Sequence, residues 1–196
     1  MYYYCRPLKY VEYGTVYPCP EEKLDKDLAY MYKWIGCFSG FYPQVWLSRS
    51  RSSITGVRNR WNRDSVMFGF DIITHGFPVA YDEWENVMCF LMNEKNGYNN
   101  KAEAIAYYAS KINEIIKECK AEGDEDEWTR RWEATTPEEY LNRYLFIEKD
   151  QVVVPSLNLK CAKKIICRDE KQKKKLRHMG FIEDRIEIKN LKSPRW

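Results

Sequence analysis

Strand-like sequence stands at both ends of this chain, and helical periodicity fills its middle. The opening MYYYCRPLKYVEYGTVYP is rich in Tyr and Val and reads as strand, turn and strand. At the other end, Val152–Val154 before Pro155 predicts a short strand, CAKKIIC a strand, EKQKKKLRHMG a helix closed by Gly180, and DRIEI a last strand. Such an order favours an α+β domain over a doubly wound sheet. The expectation is one domain over residues 1–196. Its mixed or antiparallel sheet is built from N- and C-terminal strands with helices between them, with room for a helical insertion over 82–150. A chain of 196 residues is long enough for one well-cored domain, and 44% hydrophobic with 15% aromatic residues excludes disorder.

Between those ends, Pro20 starts a helical pattern with Leu24, Leu28, Met31 and Ile35 on one face and Gly36 as its stop. Residues 44–48 predict a short strand, and residues 65–73 (SVMFGFDII) a stronger one. Asp82 is placed to cap a helix, with Glu85 as its box partner, and Asn96-Gly97 breaks that helix. A long amphipathic helix then begins at Asn99 or Asn100 and buries Ile105, Tyr108, Ile112, Ile115 and Cys119. Thr136-Pro137-Glu138-Glu139 has cap, first-turn proline and box acid in order, predicting a helix to about Phe146.

Charge is unevenly spread. Five arginines, Arg49, Arg51, Arg58, Arg60 and Arg63, fall within fifteen residues, flanked by Trp46 and Trp61, and no Asp or Glu occurs from Leu28 to Arg63. Such a segment suits an anion, and phosphate matches the guanidinium fork two oxygens at a time. The net charge of +3 is too small to imply general nucleic-acid binding. The basic helix EKQKKKLRHMG reads as a solvated face or as a contact for nucleic-acid phosphate.

Seven cysteines without a CxxC pair, and two histidines (His75, His178) away from any cysteine pair, argue against a metal site. P-loop, GxGxxG, GxSxG and HExxH motifs are absent. With no leader and no apolar run of spanning length, the expectation is a protein of the reducing cytoplasm with free thiols and no membrane partner.

One ordered set remains. Arg6 ends the first aromatic strand (YYYCR), Ser48 ends a second (VWLSRSRSS), and Glu139 or Glu138 precedes a third apolar segment in TTPEEYLNRYLFI. This order resembles the Arg–Ser–Glu pattern of the ADP-ribosyltransferase fold, in the form carried by phage and bacterial members. VWLSRSRSS is similar to the second motif, PEEYLNRYLFI to the Glu-bearing segment and KKIIC to the closing strand, covering about residues 1–168. The resemblance implies NAD as cofactor and a macromolecular acceptor, protein or nucleic acid. Arg6, with Arg49 and Arg51, would hold the dinucleotide, Ser48 would sit beside the nicotinamide ribose, and Tyr2, Tyr4 or Trp46 would wall the nicotinamide. Glu139 or Glu138 would stabilise the oxocarbenium character that appears as the glycosidic bond breaks.

The chain departs from that pattern in two places: Arg49 stands where a small hydroxyl residue is usual, and Glu138-Glu139 replaces a Glu-x-Glu. The same Thr136–Glu139 residues also read simply as a helix start. A second reading is a non-enzymatic protein, such as a phage-encoded inhibitor. It would grip a nucleic-acid-handling partner through Arg58, Arg60, Trp61 and Arg63, since Arg, Trp and Tyr dominate interface hot spots. Direct nucleic-acid binding without catalysis is a third.

Overall fold

The computed structural model describes all residues except 12, 25, 50–63, 72–74, 92–98, 124–125 and 190–196. The architecture is α+β, with a mostly antiparallel seven-stranded sheet and a separate two-stranded one. The chain forms two compact units, residues 1–18, 45–76 and 150–196, and residues 19–44 and 77–149.

The first unit holds six of the seven strands. They are β1 (Tyr2–Pro7), β3 (Val45–Ser48), β4 (Ser65–Phe70), β6 (Gln151–Val154), β8 (Lys164–Cys167) and β9 (Ile186–Ile188), in the order β6-β3-β1-β4-β8-β9. All neighbours are antiparallel except β8 and β9, which are parallel and joined through α6 (Glu170–His178). A parallel pair needs such a crossover, because a tight turn can only reverse direction. Asp169 caps α6 by accepting from the Gln172 amide at 2.8 Å, and Gly180 ends it at φ 78°, where a side chain would be strained.

Strand β4 is buried along all six residues, as a central strand with two covered faces must be. Alternation sends Val66, Phe68 and Phe70 to the main core with Val45, Leu47, Val152, Val154, Ile165 and Leu176. Met67 goes to the opposite face, with Tyr3 and Ile166. Gly69 is a close approach: a Cβ there would lie 2.7 Å from the sulfur of the flexible Met1 side chain and 3.1 Å from the Tyr3 ring, so both would have to give way. The small sheet pairs β2 (Thr15–Val16) with β7 (Leu157–Asn158).

The second unit is helical: α1 (Lys26–Ser39), α2 (Tyr81–Leu91), α3 (Lys101–Glu122), α4 (Glu127–Glu133) and α5 (Pro137–Tyr140), with the seventh strand, β5 (Phe77–Val79), before α2. Helix α1 corrects the sequence expectation at both ends. Pro20 opens only a short 3-10 turn at Glu21–Lys23, so Leu24 lies outside the helix. Gly36 is inside, where a Cβ would come within 3.0 Å of Tyr42 Cβ, so this glycine makes room for close packing rather than a stop. The stop is Gly40, at φ 79°.

Helix α2 starts one residue earlier than Asp82, which therefore sits in the first turn, favourable to the helix dipole, and pairs with Lys149 at 2.8 Å. Helix α3 begins at the expected cap, Asn100 accepting from the Glu103 amide at 2.9 Å. Its fully buried stripe is Ala104, Tyr108, Ile112 and Ile116; Ile105, Ile115 and Cys119 are half-buried. Trp34 reaches that stripe, its indole N–H donating to the Ala104 carbonyl at 2.9 Å. Thr136 and Glu139 form the expected capping box, and α5 runs into one wide turn over Leu141–Leu145.

Candidate functional site: the strand ends of β3 and β6

Antiparallel register brings Ser48 between two neighbours, opposite Tyr3 of β1 and opposite Gln151 of β6. The pairing continues one step further: the Arg49 amide donates to the Asp150 carbonyl at 2.7 Å. Ser48 is buried at 6% exposure, and Trp46, two residues back on the same strand face, lies half-buried opposite Val153. Arg49 is exposed, its guanidinium 5.0 Å from the centre of the Tyr2 ring. Alternation therefore puts the Ser48 hydroxyl, the Gln151 amide and the Trp46 ring on one face of this strand end, and the Arg49 guanidinium over Tyr2 on the other.

Gln151 is the residue that sequence reasoning missed. Its Oε1 is buried and accepts no hydrogen bond among the described residues. A buried acceptor left open costs about 1–3 kcal/mol unless something donates to it, which marks it as a place where a ligand group or water fits. The only sequence signal was a polar residue entering a Val-Val-Val strand. That Gln151 faces Ser48 is a property of long-range register, which the local sequence does not carry.

Arg6 lies on β1, opposite Val66. Its Nε donates to the Tyr10 carbonyl at 3.1 Å, a terminal N–H donates to the Tyr4 hydroxyl at 3.3 Å, and the guanidinium lies 5.5 Å from the Tyr10 ring. Along β1, Arg6 is four residues from Tyr2, against which Arg49 stacks, or about 13 Å at strand rise. Arg6 and Arg49 therefore cannot clasp one phosphate together, though the two ends of an extended ligand could meet them separately. Tyr4 is half-buried against the core and is held by its bond from Arg6.

Glu138 and Glu139 belong to the second unit, Arg6 and Ser48 to the first. The Glu139 carboxylate accepts from the Thr136 amide and from its hydroxyl, both at 2.9 Å, and these bonds hold its carboxyl below the usual glutamate range. Glu138 pairs with Lys101 at 2.5 Å. Each glutamate thus has a local structural task, and Thr136–Glu139 is a helix start, as the plainer reading of those residues held. Arg51, Arg58, Arg60, Trp61 and Arg63 lie outside the described residues. Among the described residues no cluster of His, Cys, Asp or Glu could hold a metal ion, and no helix is long and apolar enough to cross a membrane.

No family model matches this chain, and neither a curated protein nor a solved structure does so.

Proposed function

We propose that this chain is an ADP-ribosyltransferase-like protein that binds NAD at the ends of β3 and β6 and acts on a macromolecular acceptor, protein or nucleic acid. One observation carries the reading: Ser48, Arg49 and Gln151 share a strand end, with Gln151 Oε1 buried and open. Gln151 can accept from a ribose hydroxyl or a carboxamide N–H on the face that carries the Trp46 ring, and Arg49, over Tyr2 on the other face of the same strand end, suits a pyrophosphate oxygen. NAD itself supplies the glycosidic bond whose cleavage develops positive charge on the ribose. The chain must then place a carboxylate against that charge. Glu139 and Glu138 are the sequence candidates, whereas the position that faces Ser48 holds a neutral amide.

The test is calorimetric NAD binding together with NAD consumption by the purified chain. Gln151→Ala and Arg49→Ala are expected to weaken NAD binding about tenfold, the value of one charge-assisted or otherwise unreplaced hydrogen bond of ~1.4 kcal/mol. Glu139→Gln or Glu138→Gln should abolish consumption if either supplies the charge; if neither matters and Gln151→Glu raises it, the acidic position is beside Ser48. No NAD binding by the parent chain would falsify the reading.

The neutral Gln151 beside Ser48 favours a second reading, a non-enzymatic protein that grips a nucleic-acid-handling partner through Arg49 and the arginine segment after it. It predicts that Arg58→Ala, Arg60→Ala and Trp61→Ala abolish partner binding while Glu139→Gln does not. Partner affinity that is unchanged by those variants and insensitive to salt would remove it.

A further inference from the structure

A groove of about 830 Å³ opens in the first unit, between the 3-10 turn Leu8–Tyr10 and the C-terminal end of α6. Lys9, Tyr10, Lys175, His178 and Met179 line it, with Asp64 as its acidic member. A second hollow of about 460 Å³ shares His178 and continues along α6 past Lys174 and Arg177. The cations divide into two kinds. Lys173 and Arg177 are committed to Glu183, at 3.6 and 3.1 Å. Among the described residues, Lys9, Lys174 and Lys175 have no carboxylate partner. Three lysines on a concave surface, against Asp64 in the first hollow and Glu170 in the second, leave it net positive and raise the local concentration of an anion.

An aromatic face accompanies that charge. Tyr10 is 44% exposed. Lys9 Nζ lies 4.7 Å from the centre of the Tyr10 ring, and Arg6 holds the Tyr10 backbone through its carbonyl, so the ring is positioned while its side chain remains accessible. Lys160 Nζ donates to the carbonyl of Met179 in the groove wall and so is committed to the fold.

We infer that this groove binds single-stranded nucleic acid, with Lys9, Lys174 and Lys175 against the backbone phosphates and Tyr10 as a stacking face for a base. Base-on-aromatic stacking beside a basic groove is the usual means of holding a strand without reading its sequence. A duplex keeps its bases stacked on one another and offers Tyr10 no face. A phosphopeptide site gathers arginine forks about one phosphate, whereas these lysines are spread along a groove. The inference rests on neither reading of the β3–β6 site, and NAD binding is scored separately from it.

The experiment is a fluorescence-anisotropy titration of the full chain with a labelled oligothymidine of about 12 nucleotides, within the usual site size for such grooves. A duplex of the same length and phosphatidylserine vesicles are the comparators. The single strand should bind best. Tyr10→Ala should weaken it about tenfold, in the range of one lost stacking contact, with Tyr10→Phe restoring it because the ring face is what acts. Lys9→Gln with Lys175→Gln should lower the slope of log K against log salt by about 1.4, two phosphate contacts at ~0.7 each, with the melting temperature unchanged. No binding of the oligonucleotide at low salt overturns the inference. So does equal affinity for the duplex, stronger binding to the vesicles, or oligonucleotide binding that none of these variants changes.

Discussion

The two units solve burial differently. The core of the first is built mostly from side chains with no polar atoms, among them Val66, Phe68, Ile165, Ile166 and Val153 at 0–1% exposure, with Tyr2 and Tyr3 buried near its edge. The second buries Trp34, Tyr108, Trp132 and Tyr140, whose rings pack at tilted or edge-on angles with centroids 5.0–5.8 Å apart along the series. Each tip that is buried needs a partner. The Trp34 indole donates to Ala104 O at 2.9 Å, the Trp132 indole to Asn113 Oδ1 at 3.0 Å, and the Tyr140 hydroxyl to Glu83 at 3.0 Å. An aliphatic sheet core asks mainly for volume. An aromatic helical core asks for volume and for a fixed set of hydrogen bonds, so conservative changes should be tolerated in the first unit and penalised in the second.

Trp34→Ala should have the largest effect, about 3–5 kcal/mol by chemical denaturation, since it leaves a cavity at a fully buried indole. The sharper contrast is between Trp34→Phe and Ile166→Val. The valine substitution should cost about 0.5–1.5 kcal/mol, and the phenylalanine substitution more, although it keeps an aromatic ring. Equal costs would break the comparison. Tyr140→Phe keeps the ring and deletes only the donor to Glu83, so about 1–2 kcal/mol is expected. Thr136→Ala, which removes one half of a capping box, should cost about 1 kcal/mol.

What the sequence disclosed divides by range rather than by unit. Elements whose signal is local were legible: the β8–α6–β9 run with Gly180, the Asn100 cap, the Thr136 box and β3. Elements set by a distant neighbour were not. Gly36 reads as a stop until Tyr42 is seen against it, and the stripe on α3 is set by tertiary neighbours such as Trp34, which reaches the Ala104 carbonyl from α1. The candidate site divides likewise. Ser48 and Arg49 at a strand end were legible from the run VWLSR, but their opposition to Gln151 depends on β3–β6 register. Tyr10 and Lys9 beside α6 depend on how the first 3-10 turn packs, which no spacing in the chain encodes.

The last contrast separates the units by pH rather than by size. Burial, then the neighbouring Glu21 carboxylate, push the Tyr42 hydroxyl up to about 12 from an ordinary value near 10. The folded chain therefore keeps a proton that the unfolded chain releases between those values. Tyr42 contributes its full stabilisation below about pH 10, and that contribution falls as pH rises towards 12. Tyr42→Phe cannot titrate, so its stability should decline less steeply than that of the parent over this interval. The measurement is urea denaturation at several pH values from about 9 to 12. If the parent and Tyr42→Phe lose stability in parallel, the alkaline sensitivity does not originate at Tyr42, and the second unit loses its claim to depend on where its tyrosine protons reside.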